Sequence, residues 1–255
     1  MTAKPTPSYA ERFWPVFGAG LVGVLALPLT FPPSVEASLR AAAPGVSPGL
    51  LKALTLIQPA LLLATAVAIG AALAHRLGLA SHLAGVNVRR RLIDELPLAI
   101  AAGLIVGGVI VTLDRIVFSG PAANEAASLR SIVEGLVGGL LYGGLTEEAM
   151  MRWGLLALVA WVMLKLARRP LDINAPLVYA IAIVLVAVVF AAGHLPAASV
   201  VARLDAPLVT RILVLNGIAG VVYGALFWRR SLEAAMAAHM ATHVAFAVAR
   251  LMRWA

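Results

Sequence analysis

Long apolar stretches alternate with short polar or proline-bearing segments along the whole chain. The stretches run near Phe13–Phe31, Ala53–Ala74, Leu96–Leu113, Ile132–Leu164, Ala175–Gly193, Ile212–Trp228 and Ala234–Ala249. A membrane-crossing helix needs about 20 predominantly apolar residues. The pattern therefore predicts an all-α, polytopic transmembrane bundle of seven spans. The fourth stretch is too long for one straight crossing. Its glycine pairs, Gly138–Gly139 and Gly143–Gly144, are places where it can break or tilt, so an eighth span stays open. Pro32–Pro33, Pro44, Pro48, Pro121, Pro170, Pro196 and Pro207 punctuate the linkers. Small residues crowd the helices, which suits close packing in lipid. The first stretch is longer than the apolar region of a signal peptide and follows only Lys4 and Arg12, so it is read as a retained helix. There is no sign of a soluble domain, a long linker or an internal repeat, and residues 1–255 are read as one membrane domain.

Composition agrees. Of 255 residues, 62% are hydrophobic and only 13% charged, against about 25% charged in a soluble domain. Mean hydropathy is +0.95. The formal charge of +8 does not point to nucleic acid, because the basic residues fall in short loops; that placement reads as topology and anionic-lipid contact. With seven spans, eleven basic residues fall on one side and eight on the other, with Arg152 in between. The clusters Arg89–Arg91, Lys165–Arg169 and Arg229–Arg230 all lie on the first side. The N-terminus is accordingly expected in the cytoplasm, with the protein integral to a bacterial inner membrane. The absence of cysteine excludes disulfides and thiolate chemistry.

Charge inside the apolar runs is the exception that carries information. Between Gly135 and Leu164 the only charged side chains are Glu147, Glu148 and Arg152. Each costs roughly 2.5–3.5 kcal/mol at a bilayer centre by insertion scales, so the three together cost on the order of 7–10 kcal/mol if uncompensated. Glu148 and Arg152 are four apart and share a helix face. Glu147 points about 100° away from Glu148 on an α-helix, free to meet something else. Later runs hold His194, within Phe190-Ala-Ala-Gly-His194, and His239 with His243, again four apart. Asn216 lies early in the sixth run. His75 and His82 sit by a basic loop and read as interfacial. The economical arrangement is one cavity gathering Glu147, His194, His239 and His243.

Such a set can hydrolyse. A carboxylate can take a proton from a water attacking a carbonyl, and imidazoles can orient that water, stabilise an oxyanion or bind a metal. His194, His239 and His243 with Glu147 or Glu148 would also make a zinc site with an open position. Each group alone has a plainer explanation. Glu148–Arg152 reads as a structural ion pair, Phe190 as core, Asn216 as an interhelical hydrogen bond. No His-Glu-x-x-His motif, Gly-x-Ser-x-Gly elbow or Walker loop is present.

Glu147-Glu148-Ala-Met-Met-Arg152 resembles the EExxxR motif of the CAAX protease and bacteriocin-processing (CPBP, or Abi) family of membrane proteases, the type II CAAX prenyl endopeptidases. Phe190-Ala-Ala-Gly-His194 is similar to its FxxxH motif, and His239-Met-Ala-Thr-His243 to its HxxxN or HxxxD motif. The resemblance covers roughly residues 132–251 and leaves the three spans within 1–131 without a matching motif. It implies an intramembrane endopeptidase acting on a membrane protein or peptide. By the resemblance Glu147 is the general base with His194, Glu148 and Arg152 support it, and His239 with the residue four later stabilises the oxyanion or joins a metal site. Phe190 and Asn216 support the site. His243 stands where the family has Asn or Asp, which suits a zinc ligand at least as well as an oxyanion donor. A non-catalytic interaction or immunity protein on the same scaffold, and a proton-coupled transporter using the same groups as a relay, are the competing readings.

Overall fold

The computed structural model describes residues 6–118 and 128–254; Lys4 and Pro121 lie outside them. Seven helical segments are long and apolar enough to cross a membrane: Tyr9–Leu29, Pro48–Leu77, Leu92–Phe118, Leu129–Leu166, Pro176–Val200, Ala206–Arg229 and Leu232–Leu251. They are numbered here as spans 1 to 7. No β-strand occurs among the described residues; the one extended feature is an isolated bridge between Ser81 and Val86. Large apolar side chains such as Leu61, Ile105 and Leu177 are left exposed on the outside of the bundle, as a lipid-facing surface requires.

Span 4 is one continuous helical rod of 38 residues, so the glycine pairs do not break it and the described residues contain no eighth span. What they permit instead is a change of helix type. Leu129–Gly138 and Ala157–Leu166 are α-helical, but Gly139–Glu147 and Ala149–Leu156 between them are π-helical. Backbone bonds in a π-helix run i→i+5 and give a wider turn, which in other proteins often marks a functional site. Thr146 pins this stretch to span 1 by donating to the Gly20 carbonyl at 2.6 Å. Spans 4 and 7 are the most enclosed of the seven. Span 7 packs along span 3, the π segment and span 6, while span 6 packs along span 5.

Local chemistry sets the ends of these elements. Ser8 and Glu11 form a reciprocal capping box at the start of span 1, with Ser8 N–H donating to Glu11 Oε2 at 2.6 Å and Glu11 N–H to Ser8 Oγ at 3.3 Å. Arg12 is not a free loop cation. It is buried, its Nε donating to the Ala71 carbonyl at 2.8 Å and its Nη1 to the Pro7 carbonyl. That ties span 1 to the carboxyl end of span 2, where a cation also suits the helix dipole.

The start of span 7 is held by the loop before span 3. Glu233 accepts hydrogen bonds from Ser81 Oγ at 2.8 Å, His82 N at 2.9 Å and Leu83 N at 3.0 Å. Ser231 caps the helix and donates to the buried Glu95 Oε2 at 2.5 Å. His82, read from sequence as interfacial, lies 3.5 Å from the same oxygen. These bonds fix the rotation and height of span 7, hence of the histidines two turns further on. Glu233→Ala should lower the thermal midpoint, because hydrogen bonds to a charged group are worth roughly 1.5–3 kcal/mol each; a melting curve matching the parent's would show that the loop does not anchor the helix.

Candidate intramembrane active site

Spans 4, 5, 6 and 7 bring the sequence-marked side chains together. Glu148 is fully buried between two partners. Its Oε2 lies 3.2 Å from Arg152 Nε, an ion-pair contact too poorly angled for a hydrogen bond. Its Oε1 lies 2.8 Å from Nδ1 of His239. The expected i,i+4 pairing of Glu148 with Arg152 is therefore present, but Glu148 does not stand on a separate supporting face. It holds the histidine itself. Glu147, about one-fifth exposed, approaches the same ring from the other nitrogen, with Oε2 4.0 Å from His239 Nε2. Both carboxylates reach one imidazole because a π turn holds more residues than an α turn, so successive side chains diverge by less than the 100° of an α-helix.

Arg152 is sealed in. Its Nη2 donates to the Gly220 carbonyl at 3.2 Å, and its guanidinium carbon lies 4.8 Å from the Phe190 ring centre and 5.5 Å from that of Tyr223. Aromatic faces are favourable for a desolvated cation. Phe190 is thus more than core filling. The same ring meets His194 edge-on at 4.8 Å and His239 edge-on at 5.9 Å.

Each histidine has one nitrogen committed or one face covered. His194 follows the helical turn that ends span 5's main helix, and its Nδ1 bonds the Phe190 carbonyl at 2.8 Å. With Nδ1 donating there, Nε2 is the basic nitrogen, an assignment made from the partner. The same logic applies to His239, whose Nδ1 faces the Glu148 carboxylate. His243 stacks on His239 at 5.2 Å, with ring planes 21° apart. The two rings lean on span 4 at Gly139 and Gly143, which repeat their four-residue spacing. A methyl group at Gly143 would sit 3.0 Å from His239 Nε2 and 3.3 Å from His243 Nε2. One at Gly139 would overlap His243 Cγ and Nδ1 and lie 2.6 Å from its Cβ. The glycines are seats for the histidines.

His194, His239 and His243 line one cavity of about 300 Å³. Glu147 adjoins it through His239. Asn216 also lines it, and the expected interhelical bond is not what it makes: Nδ2 donates to the Ile212 carbonyl of its own helix at 2.9 Å. A side chain turned into a cavity has no neighbouring helix to reach and falls back on its i−4 carbonyl. Further along, the cavity wall includes the two-point ion pair of Asp114 with Arg211, at 2.5 and 2.6 Å, and Arg250. Arg250 stands eleven residues after His239 on span 7, about 16 Å along the axis. The remaining wall is mostly aliphatic, including Ile110, Ile212 and Leu215.

A metal fits this arrangement poorly. Among the described residues no three His, Cys, Asp or Glu side chains converge closely enough to hold one. His194, His239 and His243 share the cavity, and the glutamates stand beside it, without forming a ligand set among the described residues.

Sequence reasoning passes over Tyr223, Thr242, Asp114 and Arg211, and reads Gly139 and Gly143 only as places where the helix can break or tilt. Tyr223 lies seven residues after Asn216 and three after Gly220, on one helical face, and that spacing was the available signal. The four-residue spacing of Gly139 and Gly143, matching that of His239 and His243, was another.

Comparison with known proteins bears on the same region. No curated protein and no solved structure matches the chain. Residues 130–245 match the family model described as Type II CAAX prenyl endopeptidase Rce1-like. That stretch begins in the first turn of span 4 and ends within span 7, enclosing both glutamates, Arg152, Phe190, His194, Asn216, His239 and His243. Over this segment, a little under half of the chain, the sequence is similar to the type II CAAX prenyl endopeptidase Rce1-like family.

Proposed function

We propose that the protein is an intramembrane endopeptidase that hydrolyses a peptide bond in a membrane-associated protein or peptide. The supporting observation is the 4.0 Å gap between Glu147 Oε2 and His239 Nε2. It is too long for a direct hydrogen bond and suits one bridging water held at about 2.8 Å from each. Both atoms are acceptors when Nδ1 of His239 donates to Glu148. A water between them gives its two protons to them and turns its lone pairs outward, to the cavity.

The chemistry follows from those roles. As the water oxygen bonds the substrate carbonyl carbon, Glu147 takes the released proton. The carbonyl π pair moves onto oxygen, and the resulting oxyanion needs donors. Asn216 has a second amide hydrogen beyond the one given to Ile212, and His243 has a ring N–H when neutral. Collapse expels the amine, which receives its proton from Glu147. Glu148 keeps His239 in the tautomer that accepts at Nε2, in the way a carboxylate orients a catalytic imidazole. Arg152 pairs with Glu148 where both side chains are fully buried.

The test is cleavage of a panel of membrane-anchored peptides by purified protein in liposomes. The expected result is a discrete cut, with one labelled oxygen from heavy-oxygen water in the new carboxyl group. Treatment with a chelator should leave the rate unchanged. Loss on chelation with recovery on adding zinc would assign the histidines to a metal instead. No cleavage anywhere in the panel, by protein that keeps its thermal transition, would sink the proposal.

A further inference from the structure

We propose that Tyr223, locked in place by Thr242, is a positioning residue that sets the ring plane of His239. This rests on the peptidase reading above, since it concerns where His239 Nε2 points. One hydrogen bond at Nδ1 fixes a point on an imidazole but not its plane. The plane decides whether Nε2 looks towards Glu147 or away from it. The Tyr223 ring stacks on His239 with centres 4.6 Å apart and planes 21° apart, closer than the stack with His243.

Tyr223 is itself immobilised. It is fully buried, and its hydroxyl donates to Thr242 Oγ1 at 2.7 Å. The Thr242 hydroxyl in turn reaches the carbonyls of Gly103, at 2.9 Å, and Ala238, at 3.0 Å. Its single proton serves those two while its lone pair accepts from Tyr223, so the buried hydroxyls are satisfied in one direction. The bond to Gly103 depends on close backbone contact: a methyl group there would overlap the Ala238 carbonyl oxygen and sit 2.8 Å from Ala241 Cβ. A connected chain of contacts thus runs from span 3 (Gly103) through span 7 (Thr242) and span 6 (Tyr223) to His239 and on to Glu148 of span 4. Four spans define one imidazole plane.

Tyr223 is more than a packing residue in this account because stack and hydroxyl do separable jobs. Phenylalanine keeps the stack and loses the anchor; leucine loses both. Displacing a catalytic group by about 1 Å can cost on the order of 10²-fold. Tyr223→Leu is expected to lower kcat by roughly 10- to 100-fold with KM within about threefold of the parent. Tyr223→Phe should recover most of that loss, and Thr242→Val should fall between them.

An activity-independent measurement accompanies the kinetics. In protein with nitrogen-15-labelled histidine, the Nδ1–H resonance of His239, assigned by its loss in His239→Gln, should shift or broaden in Tyr223→Leu and less in Tyr223→Phe. Should the parent prove to have no peptidase activity, that resonance still reports whether Tyr223 orders the ring. If Tyr223→Leu fails to fold, Thr242→Val and Tyr223→Phe supply the same comparison. An unchanged His239 signal in the folded variants, or a Tyr223→Leu effect confined to KM, would overturn the proposal.

Discussion

Glu147→Gln should lower cleavage by about 100-fold or more while leaving the thermal transition close to the parent's, whereas Glu148→Gln should lower both. Two adjacent carboxylates are expected to separate in this way because their surroundings differ. Glu147 is partly exposed, and its approach to the imidazole is the 4.0 Å gap. The amide fits the same space but does not take a proton from water, and general-base assistance is worth about 10²–10⁴ in rate. Glu148 has no exposure and faces an equally buried guanidinium. Its neutral replacement leaves that cation unmatched, and breaking one side of a buried pair costs about 3–5 kcal/mol. The new amide NH2 can also donate to His239 Nδ1 and favour the wrong tautomer, so control of the ring goes with the stability. Glu148→Gln combined with Arg152→Met should regain most of the stability and none of the activity. Turnover on the same peptides and thermal unfolding in detergent check both halves. A fast Glu147→Gln enzyme would remove Glu147 as the base, and a Glu148→Gln protein as stable as the parent would show that Arg152 does not depend on it.

Gly139→Ala is expected to damage the protein nearly as severely from a position with no chemistry of its own. The added methyl would overlap His243 at Cγ and Nδ1, atoms close to its backbone. These are not the far end of a flexible chain and have nowhere to swing. Overpacking of this kind costs about 1–3 kcal/mol, and a displaced His243 carries its stacking partner His239 with it. Activity should fall on the order of 10²-fold together with the melting temperature. Pairing Gly139→Ala with His243→Ala should restore the melting temperature while activity stays low. If the single variant is neutral in both measurements, the glycine is not the seat described above.

Much of this architecture was legible beforehand, and the parts that were not share a cause. Span number follows from apolar length, which the bilayer sets, and all seven runs appear as crossings. Glu148 and Arg152 meet because residues four apart share a face, and they do so even where the helix widens. The widening itself left no mark in the apolar pattern: a hydropathy profile records how long a run is, not which carbonyl each amide bonds. The Glu148–His239 bond was missed for a related reason. It depends on the relative rotation and height of spans 4 and 7, which are set by Thr146 on Gly20 and by Glu233 on the Ser81 loop, and no single run contains that information. Asn216 was assigned a partner on another helix because polar groups in lipid usually need one, but a cavity removed the neighbour. The glycine pairs were noticed as points of weakness. Their true use required knowing what lay opposite.

The seats at Gly139 and Gly143 have one more consequence. A floor of bare main chain has no rotamers, so nothing beneath the two imidazoles can hop between alternative positions. A side chain in that place would bring residual rotamer freedom, to be lost before the rings were held still. Here the supporting surface is as stiff as a helix backbone, and its ordering entropy was incurred at folding rather than at binding. The site is built less like a hand that closes than like a mould already set.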